Sequence, residues 1–260
     1  MKLNLPNVTL VGVEGVESKL DKYLFAAEQC CKNIDFKEVK LLSHLDLNHS
    51  SQIKIKELTN VSQYSLFMFE ELYKYIDTDF MMIFQSDGFI LNHEAWDDTF
   101  LEYDYVGAPW FDGVVGNGGF SLRSTKLMDL ASKIDFPSAQ EFLTTHAGGI
   151  FEEAGTLSQN GSFTPREDAT PPELVAEDHL ICRTYAEYLK ERGMKFAPEK
   201  LAMKFSLEHN WGHPYIWEGQ FGFHNDKITD ISNWEEYKRF KEIGDNTTNE
   251  HQKPSSFILP

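Results

Sequence analysis

Phe80-Met81-Met82-Ile83-Phe84-Gln85-Ser86-Asp87-Gly88 is a run of five apolar residues that passes straight into an amide, a hydroxyl, a carboxylate and a glycine. An unbroken apolar run of this length, closed by turn residues, reads as a strand buried on both faces, the habit of a parallel sheet covered by helices. A carboxylate just beyond such a strand is expected at the carboxyl-end crevice, where open α/β sheets bind ligands. Asp87 is therefore the first candidate for function. Its hard oxygens suit Mg²⁺ or Mn²⁺ and a nucleotide diphosphate, and Gly88 permits close approach of a ligand. The competing role is a turn aspartate bonded to its own backbone.

The segments on either side support the same fold class. Val8 to Val13 is a strand candidate, Leu20 to Cys31 has helical spacing, and Glu38 to Leu42 supplies a second strand, giving a β-α-β opening. Asn60 followed by Gln63 predicts a capped helix running to Ile76, with Tyr64, Phe67, Met68, Leu72 and Tyr75 on one core-facing stripe. Beyond Asp87 come the apolar patch Tyr105 to Trp110, the loop Gly116-Asn117-Gly118-Gly119, the segment Phe120 to Arg123, and a helix over 125–132 capped by Ser124. Residues 154–173 are rich in Gly, Pro, Ser and Thr and read as a long connection, of the kind that often serves as a lid. Helical spacing resumes over 174–191, and a short helical stretch lies near 234–243. One domain is expected over 1–245, with a flexible tail over 246–260. The fold class expected is α/β with a Rossmann-related, mostly parallel central sheet flanked by helices.

Composition narrows the partners. The chain has 260 residues and a formal charge of −17 with no basic stripe, so neither a nucleic-acid backbone nor an anionic membrane suits it. A nucleotide remains compatible, since a divalent ion and backbone N–H groups can neutralise a few phosphates. Cys30, Cys31 and Cys182 have no metal-site spacing and read as reduced, packed thiols. There is no leader pattern and no apolar run long enough to span a bilayer, so a cytoplasmic enzyme is expected, with peripheral membrane contact left open.

Three further places have chemistry to offer. The loop at 116–119 lacks the Lys-Ser/Thr ending of a phosphate loop, yet its small residues let a sugar approach the backbone, with Asn117 offering a donor and an acceptor. Glu177 and Asp178 open a helix whose Ile181, Cys182, Tyr185 and Leu189 pack inward; Asp178 shares that stripe, where a dry crevice would suit it as a general base. First-turn stabilisation of the helix is the plainer role. The late segment holds His209, His213 and His224 among aromatic residues; one histidine could complete an ion site begun by Asp87, and Trp211 and Trp217 could stack on a sugar or fill the core.

Taken together, Phe84-Gln-Ser-Asp-Gly88, Phe100 to Trp110, Val115 to Arg123, Ala176-Glu-Asp-His179 and Gln220-Phe-Gly-Phe-His224 resemble the DUF5672 family of glycosyltransferase-like domains. More distantly they look like inverting GT-A glycosyltransferases such as the β-1,4-galactosyltransferases. The resemblance implies a GT-A-like fold and transfer of a sugar from a nucleotide-sugar, with UDP-hexose first and GDP-sugars next, to a hydroxyl of a glycan acceptor. By that resemblance Asp87 is the last acid of an Asp-x-Asp metal motif whose first acid is here Gln85, next to Ser86, so coordination is thinner. His224 matches the late histidine that joins Mn²⁺ or Mg²⁺, and Asp178, beside Glu177, matches the general base. Asn117, Gly118 and Gly119 match the donor and acceptor loop, while Gly12, Glu14 and Gly15 lie where the nucleotide is held. A retaining transferase, a noncatalytic sugar binder and, with less support, a hydrolase are the competing classes.

Overall fold

The run at 80–84 does form the buried strand at the centre of the sheet. In the computed structural model, which describes residues 2–134, 155–157, 163–165, 176–208, 215–225 and 231–245, it is paired on both sides. In chain order the elements are β1 (Leu3–Val13), α1 (Leu20–Cys31), β2 (Ile34–Ser43), β3 (Gln52–Lys54), α2 (Val61–Glu70), β4 (Phe80–Phe84), β5 (Gly88–Ile90), β6 (Tyr105–Gly107), β7 (Ser121–Ser124) and α3 (Thr125–Ala131). After these come β8 (Gly155–Leu157), β9 (Phe163–Pro165), α4 (Glu177–His179), α5 (Ala186–Glu191), α6 (Glu199–Phe205), β10 (Ser206–Glu208), β11 (Gly222–His224) and α7 (Glu235–Asp245).

Six strands form the main sheet in the order β3-β2-β1-β4-β7-β6. β1, β2, β3 and β4 run parallel, and only β7 opposes its neighbours. This is the Rossmann-related, mostly parallel α/β arrangement expected of a GT-A-like chain. Met81, Met82, Ile83 and Phe84 are almost wholly buried, and each such side chain stabilises the fold by about 1.5–3 kcal/mol relative to exposure. Gly12 lies opposite Phe84 in the β1–β4 register. A Cβ there would come within 2.5 Å of Phe84 and 2.6 Å of Tyr23, whose rings stack 5.1 Å apart, so Gly12 has a packing reason of its own.

A second, smaller sheet, β10-β11-β5, stands at the carboxyl end of β4. Gln85 and Gly88 exchange both backbone hydrogen bonds, so the chain reverses through Ser86 and Asp87 and returns as β5. The turn carries β4 directly into the small sheet. Asp87 therefore sits between the two sheets, where side chains from both can meet it.

The helices depart from the expected spans at two places. α2 ends at Glu70, and Leu72–Tyr75 continue as a tighter 3₁₀ turn. The expected single helix over 174–191 is instead α4, a π-helical turn over Leu180–Thr184, and α5. Glu177 rather than Asp178 is the acid buried to 5 % exposure, and Asp178, expected on the core-facing stripe, is only partly buried. The expected caps hold: Asn60 and Ser124 accept hydrogen bonds from the N–H groups of Gln63 and Leu127. All three cysteines are buried and unbridged. Most of the connection at 154–173 and the tail at 246–260 lie outside the described residues. Among those described, no helix is long and apolar enough to cross a membrane.

Candidate active site

The backbone of Gly118 and Gly119 separates two polar clusters. On one side, Gly118 N–H donates to Asp178 Oδ2 at 2.9 Å, and His179 N–H donates to Oδ1 at 2.8 Å. On the other, a Cβ added at Gly119 would fall 2.1 Å from His224 Nε2. Both positions exclude a side chain because functional groups already occupy the space. At Gly118 a Cβ would lie 2.4 Å from Glu177 Oε1 and 2.7 Å from Arg123 Nη2. One peptide unit, with Cα atoms about 3.8 Å apart, thus divides the Asp178 cluster from the His224 cluster.

His224 is the centre of the second cluster. Its Nε2 lies 3.1 Å from Gln85 Oε1 and 3.6 Å from Asp87 Oδ1. Tyr64 Oη accepts from Gln85 Nε2 at 2.9 Å, which orients the amide with its oxygen toward the imidazole. Burial works against a charge on His224, but its contacts with Asp87 and Glu208 outweigh it and push the pKa up to about 10. Burial likewise opposes the Asp87 charge, yet His224 and the nearby Lys19 hold that carboxyl below its ordinary value.

The spacing of the cluster fits a divalent ion. Two ligands of one octahedral ion at about 2.1 Å stand roughly 3 Å apart. The separations of 3.1 and 3.6 Å from Nε2 to Gln85 and Asp87 therefore need little adjustment once an ion replaces the Nε2 proton. The set is thin, consisting of one carboxylate, one amide oxygen and one imidazole. Among the described residues no group of three or more His, Cys, Asp and Glu side chains is arranged around an ion position. Further ligands would have to come from substrate oxygens or water, as is usual for Mg²⁺.

The Asp178 cluster is anchored from beneath. Arg123, with no exposed surface, donates through Nη2 to Glu177 Oε1 at 2.9 Å and to Gly118 O at 3.2 Å, and through Nε to Ser121 Oγ at 3.0 Å. Gly118 is thus held at its N–H by Asp178 and at its carbonyl by Arg123. Burial is the largest influence on the Asp178 carboxyl and raises its pKa against the opposing Gly118 hydrogen bond and Arg123 charge. Asn117 adopts a positive φ of 50° and is 4 % exposed, and among the described residues its Oδ1 has no hydrogen-bond partner. Asparagine tolerates this left-handed conformation better than most residues, and the unmatched acceptor lies beside the loop that joins the two clusters.

The structure brings Asp87, Gln85, His224, Asn117, Gly118, Gly119, Glu177 and Asp178 together. Ser86 occupies the same turn, buried to 5 %. Glu14 lies at the end of β1, but its carboxylate accepts from its own loop, from Gly15 N–H at 3.0 Å and Val16 N–H at 2.9 Å. Trp217 packs edge-on against Trp234 at 5.7 Å, and Trp211, with His209 and His213, falls outside the described residues. Three contributors escaped the sequence reading: Arg123, Glu208 and the Tyr64 hydroxyl. The first two left a signal, a charged residue inside an otherwise buried strand, which requires a partner. Tyr64 has the expected place on the core stripe, and nothing in its spacing marks the hydroxyl as reaching Gln85.

The model of the family described as "Protein of unknown function (DUF5672)" matches residues 49–224. The chain belongs to the DUF5672 family. The matched segment of this DUF5672 chain ends on His224 and contains every site residue considered above except Gly12, Glu14 and Gly15. No curated protein matches it. Among solved structures, the galactosyltransferase LgtC in complex with donor and acceptor sugar analogues aligns over 94 % of this chain and 98 % of its own, at 12 % identity and a TM-score of 0.49. The apo form of the glycosyltransferase GlyE of Streptococcus pneumoniae TIGR4 aligns over 94 % of this chain and 60 % of its own, at 10 % identity and a TM-score of 0.44. A glycosyltransferase involved in glycosylation of the major capsid of PBCV-1 aligns over 91 % and 98 %, at 10 % identity and a TM-score of 0.44.

Proposed function

We propose that this DUF5672 protein is a nucleotide-sugar-dependent glycosyltransferase, with UDP-hexose as the first donor to test and a glycan hydroxyl as acceptor. The observation that carries this reading is the division made by Gly118 and Gly119. An oxygen and imidazole cluster suited to a diphosphate-bound ion stands one peptide unit away from a carboxylate whose pKa burial has raised. Transfer from a nucleotide-sugar needs both: charge neutralisation at the leaving diphosphate and a proton acceptor at the incoming hydroxyl.

Asp87 and His224, with Gln85, would hold Mn²⁺ or Mg²⁺. When bound, the ion supplies Lewis-acid stabilisation of the charge that develops on the leaving diphosphate. The chain's own residues do the rest. Gly118 and Gly119 add no side chains of their own to the rim that joins the clusters, so a donor sugar can approach that stretch of backbone from its open side. Asp178 receives the proton of the acceptor hydroxyl as its oxygen attacks the anomeric carbon; the bond from that carbon to the diphosphate oxygen breaks, and the configuration inverts. The Gly118 and His179 N–H groups orient the carboxylate while one lone pair on each oxygen stays available.

One observation favours a second reading, retaining transfer. Both Asp178 oxygens already accept main-chain hydrogen bonds, which also suits a residue that holds the loop in place without taking a proton. The first experiment is a thermal-shift panel of UDP-, GDP-, CMP- and dTDP-sugars with and without Mn²⁺, where a donor-selective rise that depends on the ion is expected. NMR of the product anomer then separates inversion from retention. Asp178→Asn is expected to bind donor like the wild type and to lose transfer; full transfer by this variant removes Asp178 as the base. A folded protein that answers to no nucleotide-sugar overturns the transferase reading in favour of a sugar-binding protein.

A further inference from the structure

Glu208 is the second acid against His224, on the side of the ring away from Asp87. It is the last residue of β10 and 9 % exposed, a depth at which a carboxylate is ordinarily paired. The small sheet sets it in a row with the ion cluster. Glu208 is in register with His224, and His224 with Gly88, the residue after Asp87. The imidazole therefore lies between two carboxylates delivered by different strands. Asp87 Oδ1 and Gln85 Oε1 face Nε2 at 3.6 and 3.1 Å, and Glu208 Oε1 faces Nδ1 at 3.4 Å. That last separation is longer than a good hydrogen bond, and among the described residues Nδ1 has no other partner.

We propose that Glu208 is a positioning residue for His224, engaging Nδ1 from behind so that Nε2 is presented, with Asp87 and Gln85, to a divalent cation. The proposal rests on the reading of His224 as an ion ligand given above. A carboxylate behind a ligating imidazole fixes which nitrogen bears the proton and how the ring is turned, and its loss commonly lowers metal affinity by about 10- to 100-fold. Register supports the assignment over a chance contact. Because β10 pairs in parallel with β11, the same face that directs His224 toward Asp87 brings Glu208 alongside it. The Gly119 backbone closes a further side, where a Cβ would meet Nε2, Cδ2 and Cε1 of the ring within 2.5 Å, so the imidazole has little freedom to find another pose.

The test is binding of MnCl₂ alone, by calorimetry and by the electron-paramagnetic signal of free Mn²⁺, to the full chain and to the Glu208→Ala, Glu208→Gln, His224→Ala and Glu208→Ala/His224→Ala variants. Glu208→Ala is expected to bind 10- to 100-fold more weakly, and Glu208→Gln, which keeps an acceptor oxygen, to recover part of the loss. The double variant should bind no more weakly than His224→Ala, because Glu208 acts only through the ring. Circular dichroism and ion-free melting temperature control for folding, and the near-isosteric Glu208→Gln carries the test if the alanine variant does not fold. Wild-type affinity in both Glu208 variants, or a full further loss in the double variant, overturns the positioning role while leaving the ion site standing. No Mn²⁺ binding by the wild type overturns the ion reading and this proposal together, and the nucleotide-sugar panel then reports separately on the donor site.

Discussion

Arg123 and Glu177 form an ion pair at 2.9 Å with side-chain exposures of 0 and 7 %, joining β7 to the start of α4. The same guanidinium nitrogen reaches Gly118 O, while Gly118 N–H reaches Asp178. Position 118 and the two acids are thereby fixed as one unit. Removing one member of a buried pair leaves the other charge uncompensated, at a cost of about 3–5 kcal/mol. Arg123→Met and Glu177→Gln are each expected to lower stability on that scale, and Arg123→Met/Glu177→Leu to lose less than the two together. Urea midpoints at constant m-value measure this; single-variant losses below about 1 kcal/mol would show that the pair does not hold the loop.

Gly119→Ala is expected to displace the His224 ring, since its Cβ would lie 2.1 Å from Nε2. It should therefore weaken Mn²⁺ binding as His224→Ala does. Gly193→Ala is the control. Its φ is +84° with nothing within 4 Å of the added Cβ, so it should cost only about 1 kcal/mol of backbone strain and leave ion binding unchanged. Equal ion binding in both glycine variants would remove the steric argument.

His179 stacks on Trp110 at 4.4 Å, and burial, reinforced by the Arg183 charge, pushes its pKa down to about 4. The unfolded chain then takes up this proton first as pH falls. The cost is absent above the unfolded value of about 6.5, grows as pH drops from there, and levels off near the folded value, reaching about 3 kcal/mol. His179→Phe keeps an aromatic ring against Trp110 without a titrating group, so its urea midpoint should fall less than that of the wild type between pH 6.5 and 4. Parallel curves for the two proteins would exclude His179 as a source of acid sensitivity.

Tyr64→Phe removes the acceptor of the Gln85 amide while keeping the ring in the core stripe. The loss of one partly buried hydrogen bond is worth about 0.5–1.5 kcal/mol. Freed from Tyr64, the Gln85 amide can turn its nitrogen toward His224, so a fewfold loss of Mn²⁺ affinity is expected beside the small stability change. Unchanged affinity would show that backbone position alone orients Gln85.

The central strand was legible because its signal is local: five consecutive apolar residues need cover on both faces, and a parallel sheet supplies it. The same local logic found α1, whose observed span is Leu20–Cys31, and the caps at Asn60 and Ser124, where one short polar side chain answers an N–H two or three residues on. It located the carboxylate at the strand end and the glycine loop, since turns and sheet ends are written in adjacent residues. The helix stripe had already suggested Asp178 as a base and the late segment a histidine beside Asp87; resemblance added only the choice of His224 among the three late histidines.

What lay beyond local reading depends on contacts between residues far apart in the chain. The π-helical turn over Leu180–Thr184 breaks the helix, and Glu177 takes the buried place opposite Arg123; no periodic pattern announces either. Arg123 and Glu177 meet across 54 positions and Gln85 and His224 across 139, and each pair exists only because β4, β7, α4 and β11 converge on one rim. Composition and periodicity set which segments become strands and helices, since those depend on neighbours within a turn or a pleat. Tertiary packing alone decided that Gly118 and Gly119 stand between a carboxylate and an imidazole, because excluding a Cβ there is a property of the space the other elements leave.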